Sequence, residues 1–411
     1  MRIVILNDFG FINGGASKVA ITEALALADL GYKVTYFYAV GPLDSDLDSH
    51  PNIQTITTND FDILHDPSRI RAAIKGIWNS NVKNKLTDLL QNCTKTDTVV
   101  HLHSWSKGLT SVVSKVVTEL QFPFICTLHD YFLACPNGGF YKYPKKEICH
   151  FSPLSLACIK ENCDARNYSH KIWRVLRSIT QKTFGKLPNP TMNFIFVSEF
   201  SKTILSPFIP EGSGTYILDN PIQTAKEAPV QVKNNHAFVY VGRLSPEKGC
   251  QTIAEASIGK EYEIIYVGDG SERKKILDIN PKAIITGWAS HKDVNKYLNN
   301  ARALIAPSLC YETHGLTIFE AFAKGIPVIV SNRCAGRDYV LDGVNGVWFS
   351  GSSSKDLQRK LDMLSDENYA AKLGRAAYER YWKNPLTIEN HVQRLLSIYD
   401  IVLSNHKNEF V

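Results

Sequence analysis

Ala303-Leu304-Ile305-Ala306-Pro307, then a short loop, then Glu312-Thr313-His314-Gly315-Leu316-Thr317-Ile318-Phe319-Glu320: the reading of this stretch decides the fold. The first five residues are an apolar run of strand length, and Gly315 opens a helix that runs to Lys324, with Gly325 as its stop. A strand that passes through a loop into a helix is one unit of a parallel sheet. Working outward, strands are predicted over 237–241, 262–267, 283–286, 303–306 and 327–330, with helical segments between them. The N-terminal half repeats the alternation. Strands are predicted over 2–6, 33–39, 98–102, 124–128, 193–197 and 215–218, and helices over 17–30, 68–90, 108–120, 171–184 and 199–205. The fold class is α/β, with two doubly wound parallel sheets covered on both faces.

The chain has 411 residues, 44% hydrophobic and 21% charged, which suits two globular domains and excludes wholesale disorder. No apolar run approaches the roughly 18 residues of a spanning helix, and Asn7-Asp8 cuts the first apolar run too early for a signal peptide. The net charge of +6 argues against a nucleic-acid partner. It is also uneven: residues 135–190 hold ten Lys/Arg and three Asp/Glu, a local +7 that leaves −1 for the rest.

The domains are expected at 1–220, with a Cys-rich basic insertion at 131–170, and at 236–385. A polar linker at 221–235 joins them, and a helix within 386–411 packs back towards the first domain. Nine cysteines without an export signal point to a reducing, cytoplasmic setting rather than to disulfides. Cys135, Cys149, Cys158 and Cys163 could close a tetrahedral structural zinc site, but their spacings lack the usual tight pairs, so buried thiols are the competing reading. In 171–186, Ile172, Trp173, Val175, Leu176, Ile179 and Phe184 alternate with Lys171, Arg174, Arg177, Lys182 and Lys186. That is the pattern of a basic helix on an anionic membrane surface, or of an ordinary surface helix.

Three places could carry chemistry. Gly10, Gly14 and Gly15 fit neither the dinucleotide fingerprint nor a P-loop, but they let backbone N–H groups approach an anion at a helix start. Val241-Gly242-Arg243-Leu244-Ser245-Pro246-Glu247-Lys248-Gly249 puts a guanidinium and an ammonium at the carboxyl edge of a strand, suited to two phosphates. Glu312 and Glu320 flank amide groups near Gly315 to Thr317: carboxylates for hydroxyls, amides for phosphate. Each alone has an ordinary reading as a turn, solvated cations or a helix cap. Asp44-Ser45-Asp46 sits in a polar loop and reads as solvated rather than metal-binding, and Asp269 as a turn residue.

Together these motifs, with His129-Asp130 and Val267-Gly268-Asp269-Gly270, resemble retaining nucleotide-sugar glycosyltransferases of family 4 over almost the whole chain except the insertion. The resemblance implies a GT-B fold, two Rossmann-like domains facing a central cleft. It implies metal-independent transfer of a hexosyl group, with no catalytic cofactor, from a nucleoside-diphosphate sugar to a glycan or lipid-linked glycan. By the same resemblance Arg243 and Lys248 hold the diphosphate and Glu320 the ribose. Glu312 takes sugar hydroxyls, Gly242, Gly315, Leu316 and Thr317 contact phosphate or sugar, and His129 lies near the donor sugar. Gly14 and Gly15 sit opposite, and His103, in His101-Leu102-His103, is an acceptor-side candidate or a core histidine. The expected setting is the inner face of a bacterial membrane, in surface polysaccharide or glycoconjugate assembly. The rival readings are a sugar-nucleotide epimerase on the same scaffold and a non-catalytic sugar-nucleotide-binding partner.

Overall fold

The computed structural model describes residues 1–409. They divide into two units, the first made of Met1–Gly138, Phe151–Pro221 and the C-terminal helix Ile388–Glu409, the second of Gly139–His150 and Ile222–Thr387. In the first unit β1 (Arg2–Phe9), β2 (Lys33–Val40), β3 (Ile53–Thr57), β4 (Thr98–Leu102) and β5 (Phe124–Leu128) come first along the chain. A two-stranded antiparallel hairpin, β6 (Tyr141–Lys142) and β7 (Glu147–Ile148), belongs to the second unit. β8 (Asn193–Phe196) and β9 (Gly214–Ile217) then complete a seven-stranded parallel sheet ordered β3-β2-β1-β4-β5-β8-β9.

The second unit builds its own parallel sheet from β10 (Ala237–Val241), β11 (Glu263–Val267), β12 (Ile284–Ile285), β13 (Ala301–Ala306), β14 (Val328–Ser331) and β15 (Gly346–Phe349). Its order is β12-β11-β10-β13-β14-β15. Both sheets reverse their winding once, between β1 and β4 and between β10 and β13. Outside the carboxyl ends of strands at such a reversal is where open α/β sheets bind ligands. The central strands are buried on both faces, as their unbroken apolar runs demand.

The C-terminal helix supplies Val392, Leu395, Ile398, Tyr399, Val402 and Leu403 to the first unit's core, against Ala20, Ala24, Leu27 and Ala28 of the helix Gly15–Asp29. No helix among the described residues is long and apolar enough to cross a membrane.

Several elements differ from the sequence reading. The single helix expected over 68–90 is two, Arg69–Lys75 and Ser80–Gln91, because Gly76 caps the first and the Asn79 side chain accepts the Asn81 and Val82 amides to start the second. β3 and β15 were not anticipated: one is a half-exposed edge strand and the other begins with glycine. The insertion is split, its 139–150 portion grouping with the second unit. The stretch expected as linker packs on that unit, with Ile222 and Val232 in its core and Val230 N–H donating to the Lys324 carbonyl at 2.8 Å. Asp44 accepts the Asp46 amide at 3.0 Å and caps a short helix, Ser45–Ser49.

The helix Tyr168–Thr183 is turned about from the expected arrangement: Lys171 and Arg177 are buried, whereas Leu176 and Ile179 are exposed.

Gly249 follows Lys248 with φ +70°, and a Cβ there would run into the Pro307 carbonyl. Gly249→Ala is therefore expected to lower stability by about 1–3 kcal/mol, read as a lower urea midpoint.

Candidate active site

In the second unit β10 ends at Val241, and the chain turns through Gly242 and Arg243 into a short 3-10 turn, Pro246–Lys248. Neighbouring β13 delivers Ser308 and Glu312 from its carboxyl end. The two loops are tied by the Leu309 amide, which donates to the Glu247 carbonyl at 2.9 Å. Across this junction Lys248 Nζ donates to Glu312 Oε1 at 2.7 Å, and Ser308 Oγ donates to Glu312 Oε2 at 2.6 Å. Burial alone would push the Lys248 ammonium down, but Glu312 holds it above its ordinary value. Burial likewise would raise Glu312, and Lys248 keeps it below the usual carboxylate range. The pair is ionised.

Gly315, at φ +86°, caps the helix Leu316–Ala323, so the Leu316 and Thr317 amides face outward from its first turn. Glu320 lies one turn further on, with His291 Nε2 at 3.8 Å from its Oε1. The Arg243 guanidinium is exposed, and the Arg243 carbonyl accepts from Tyr240 Oη at 2.8 Å and from the Ser245 amide at 3.0 Å. Asp269 accepts its neighbour Gly270 N–H at 2.8 Å and pairs with Arg273 at 3.1 Å, which makes it a turn residue.

In the first unit Gly14, with φ +136°, caps the helix that Gly15 begins, and both are exposed. His129 follows β5, and its Nε2 lies 3.1 Å from His103 Nδ1, the rings stacked at 5.3 Å. His103 is buried, with Nε2 3.3 Å from Glu23 Oε2, so it meets His129 and Glu23 rather than an open acceptor surface. Glu23 Oε1 lies 2.8 Å from His391 Nε2, and His101 is held between Tyr399 Oη and Thr127 Oγ1, each at 2.7 Å.

Three carboxylates that motif reading left without a role shape this edge. Asp8, at the end of β1, accepts the backbone amides of Lys107, Gly108 and Leu109. Asp130 accepts the Phe132 amide at 2.9 Å, and burial pushes its carboxyl up to about 6. Glu23 is the third. Its sequence signal is an acid on the apolar face of a helix, between Ala20, Ile21, Ala24 and Leu27; that of Asp8 is an acid closing an apolar strand.

Among the described residues, Glu23, His101 and His103 are the group of three ligating side chains whose donor atoms lie within 4.8 Å of one another. Around the four cysteines, Lys171 Nζ lies 3.2 Å from Cys163 Sγ and 3.4 Å from Cys158 Sγ, and the Asn137 side chain lies 3.1 Å from Cys135 Sγ and 3.3 Å from Cys163 Sγ.

Residues 222–380 match the family described as glycosyl transferases group 1. The chain is 29% identical over 141 residues to the GDP-mannose-dependent alpha-mannosyltransferase of Corynebacterium glutamicum, covering 34% of each. It is 23% identical over 232 residues to the lipopolysaccharide 1,2-N-acetylglucosaminetransferase of Salmonella typhimurium, covering 48% of this chain and 61% of that one. The matches thus span about a third and three-fifths of those relatives' own length. Among solved structures, Anabaena HepE in complex with UDP and glucose superposes with a TM-score of 0.68 at 17% identity, over 97% of this chain and 99% of that one. The fold is GT-B.

Burial, then His103, holds His101 well below its ordinary value, so the native histidine stays neutral where the unfolded one is charged. Below about pH 6.5 the unfolded chain binds the extra proton, and stability falls as pH falls. Glu23 is held well below the carboxylate range, so its contribution is complete above about 4.5 and is lost only at more acid pH. The urea midpoint is expected to drop between pH 7.5 and 5.5, with a shallower drop in His101→Gln.

Proposed function

We propose that the chain is a retaining, metal-independent hexosyltransferase that takes its sugar from a nucleoside-diphosphate donor bound on the second unit. The observation that carries this reading is the ionised Lys248–Glu312 pair at the β10/β13 reversal, beside the outward amides of Leu316 and Thr317 and the exposed Arg243. Two cations suit a diphosphate leaving group, with Arg243 as a fork and Lys248 as a point charge. As the bond to the sugar breaks, negative charge grows on the leaving phosphate, and a preorganised ammonium stabilises it there more than in the ground state. Glu312 uses one site on each oxygen for Lys248 and Ser308, and a carboxylate has further lone pairs for sugar hydroxyls. Glu320 serves the ribose. His129, backed by His103 and Glu23, serves the sugar side of the reaction, and Gly14 and Gly15 offer amides at the start of their helix. With front-face attack the leaving phosphate itself takes the acceptor proton, so the reaction calls for no protein nucleophile.

The acceptor is a glycan or lipid-linked glycan in bacterial surface polysaccharide or glycoconjugate synthesis, reached from the cytoplasmic face of a membrane. The Salmonella relative's name and the basic charge of residues 135–190 support this setting.

The test is a melting-temperature screen with UDP, GDP, ADP, TDP and CMP, with and without chelator. A bound ligand at 100 times its Kd adds about 2.7 kcal/mol to stability. One diphosphate is expected to stabilise the chain whether or not chelator is present, and less so in Glu320→Ala. Lys248→Ala should lower kcat on the order of 10²-fold while retaining a cooperative melt. Nucleotide release without a glycosylated product in the mass spectrum would favour the epimerase, and no nucleotide binding at all would remove the donor site.

A further inference from the structure

Between the helices Arg69–Lys75 and Tyr168–Thr183 the first unit holds a cavity of about 360 Å³. The helices are joined there by Trp173 Nε1, which donates to the Ala73 carbonyl at 2.9 Å. Five cations line the cavity, Arg69, Lys107, Arg166, Arg174 and Arg177, and no carboxylate does. Apolar wall is supplied by Ile63, Leu64, Phe132 and Trp173.

Three of the cations are already engaged. Arg174 pairs with Asp164 at 2.7 Å, and Arg69 donates to the Ile63 and Leu64 carbonyls. Arg177 donates to the Ser106 carbonyl and lies over the Phe132 and Trp173 rings at 4.8 and 5.2 Å. The Lys107 ammonium and the Arg166 guanidinium have no hydrogen-bond or ion-pair partner among the described residues. Burial, then Arg174 and Arg177, pushes the Lys107 ammonium down, with Asp8 and Asp62 opposing only in part. An anion in the cavity would relieve that repulsion.

The position is also that of a ligand. Lys107 and Phe132 follow β4 and β5, and Asp8 at the end of β1 takes the Lys107 amide, so the cavity lies at the carboxyl edge beside the β1/β4 reversal. The two flanking helices leave large apolar side chains in the open: Ile70 is 77% and Ile74 64% exposed on one, Leu176 50% on the other, and Phe184 just beyond it 65%. Apolar side chains exposed on the two helices that flank a cationic cavity suit one molecule with an anionic head and a hydrocarbon tail.

We propose that this cavity holds the phosphate head of a lipid-linked acceptor, whose hydrocarbon lies along the exposed apolar side chains of the two helices. The proposal rests on the glycosyltransferase reading and names its acceptor class.

The experiment is calorimetric titration of the full chain, held in saturating stabilising nucleoside diphosphate so that the second unit's site is filled. The probes are farnesyl diphosphate, inorganic diphosphate, farnesol and dihexanoyl phosphatidylglycerol. Farnesyl diphosphate is expected to bind at least about tenfold more tightly than any of the other three, and to weaken by about tenfold or more in a Lys107→Gln, Arg166→Gln double variant. The variant's melting shift with nucleoside diphosphate should be unchanged, which reports that it is folded. Equal binding of inorganic diphosphate would make this a plain phosphate site, equal binding of farnesol an apolar cleft, and equal binding of phosphatidylglycerol a membrane-headgroup site. Each result would overturn the proposal, as would absent farnesyl diphosphate binding. Loss of nucleoside-diphosphate stabilisation in the wild type would instead remove the parent reading.

Discussion

A parallel sheet that reverses its winding leaves two neighbouring strands whose outgoing loops part to opposite faces. In the second unit the helix after β10 packs in one core cluster and the helix after β13 in the other, on the two sides of the sheet. Between the diverging loops, which the Leu309 amide ties to the Glu247 carbonyl, side chains from both can meet. Lys248 and Glu312 do so. The other local features follow from holding that meeting: the left-handed turn at Gly249 that brings backbone against Pro307, Ser308 on the second carboxylate oxygen, and the glycine cap that starts the next helix where amides stay open. Such a pair is costly to desolvate, which argues for chemistry rather than stability as its reason.

Much of the architecture could be read from the chain. Central strands buried on both faces announce themselves as apolar runs, and Gly315 and Gly325 delimit their helix because few residues stop or start one so sharply. Elements at the margins were less legible. β3 is half exposed, and the break at Gly76 to Asn79 lies inside a stretch whose periodicity continues across it. The polar stretch after Pro221 reads as a tether because its packing rests on scattered apolar residues such as Ile222, Val230 and Val232.

The site divides in the same way. Lys248, Glu312 and the Gly315 cap sit in contiguous motifs, so their proximity to a strand end could be inferred. Glu23 could not be, since its partners His101, His103 and His391 come from distant parts of the chain and only the finished fold brings them together. The cysteines illustrate the reverse difficulty. The thiols gather in one insertion although their spacings lack the usual tight pairs, and Lys171, which periodicity assigns to a solvated face, turns inward and stands beside two of the sulfurs. Once that lysine and Arg177 point inward, Leu176 and Ile179 are left outside, and the helix exposes what such helices usually hide.

The first unit begins at residue 1 yet is closed by a helix that starts at Ile388. On the ribosome all its strands are therefore made before most of the second unit, and the helix that covers its core follows that unit. Until then the helix Gly15–Asp29 lacks the cover of Leu395, Tyr399 and Val402, and Glu23 lacks the imidazole of His391. Biosynthesis thus inverts the usual order: the second unit has all its own residues available before the first does.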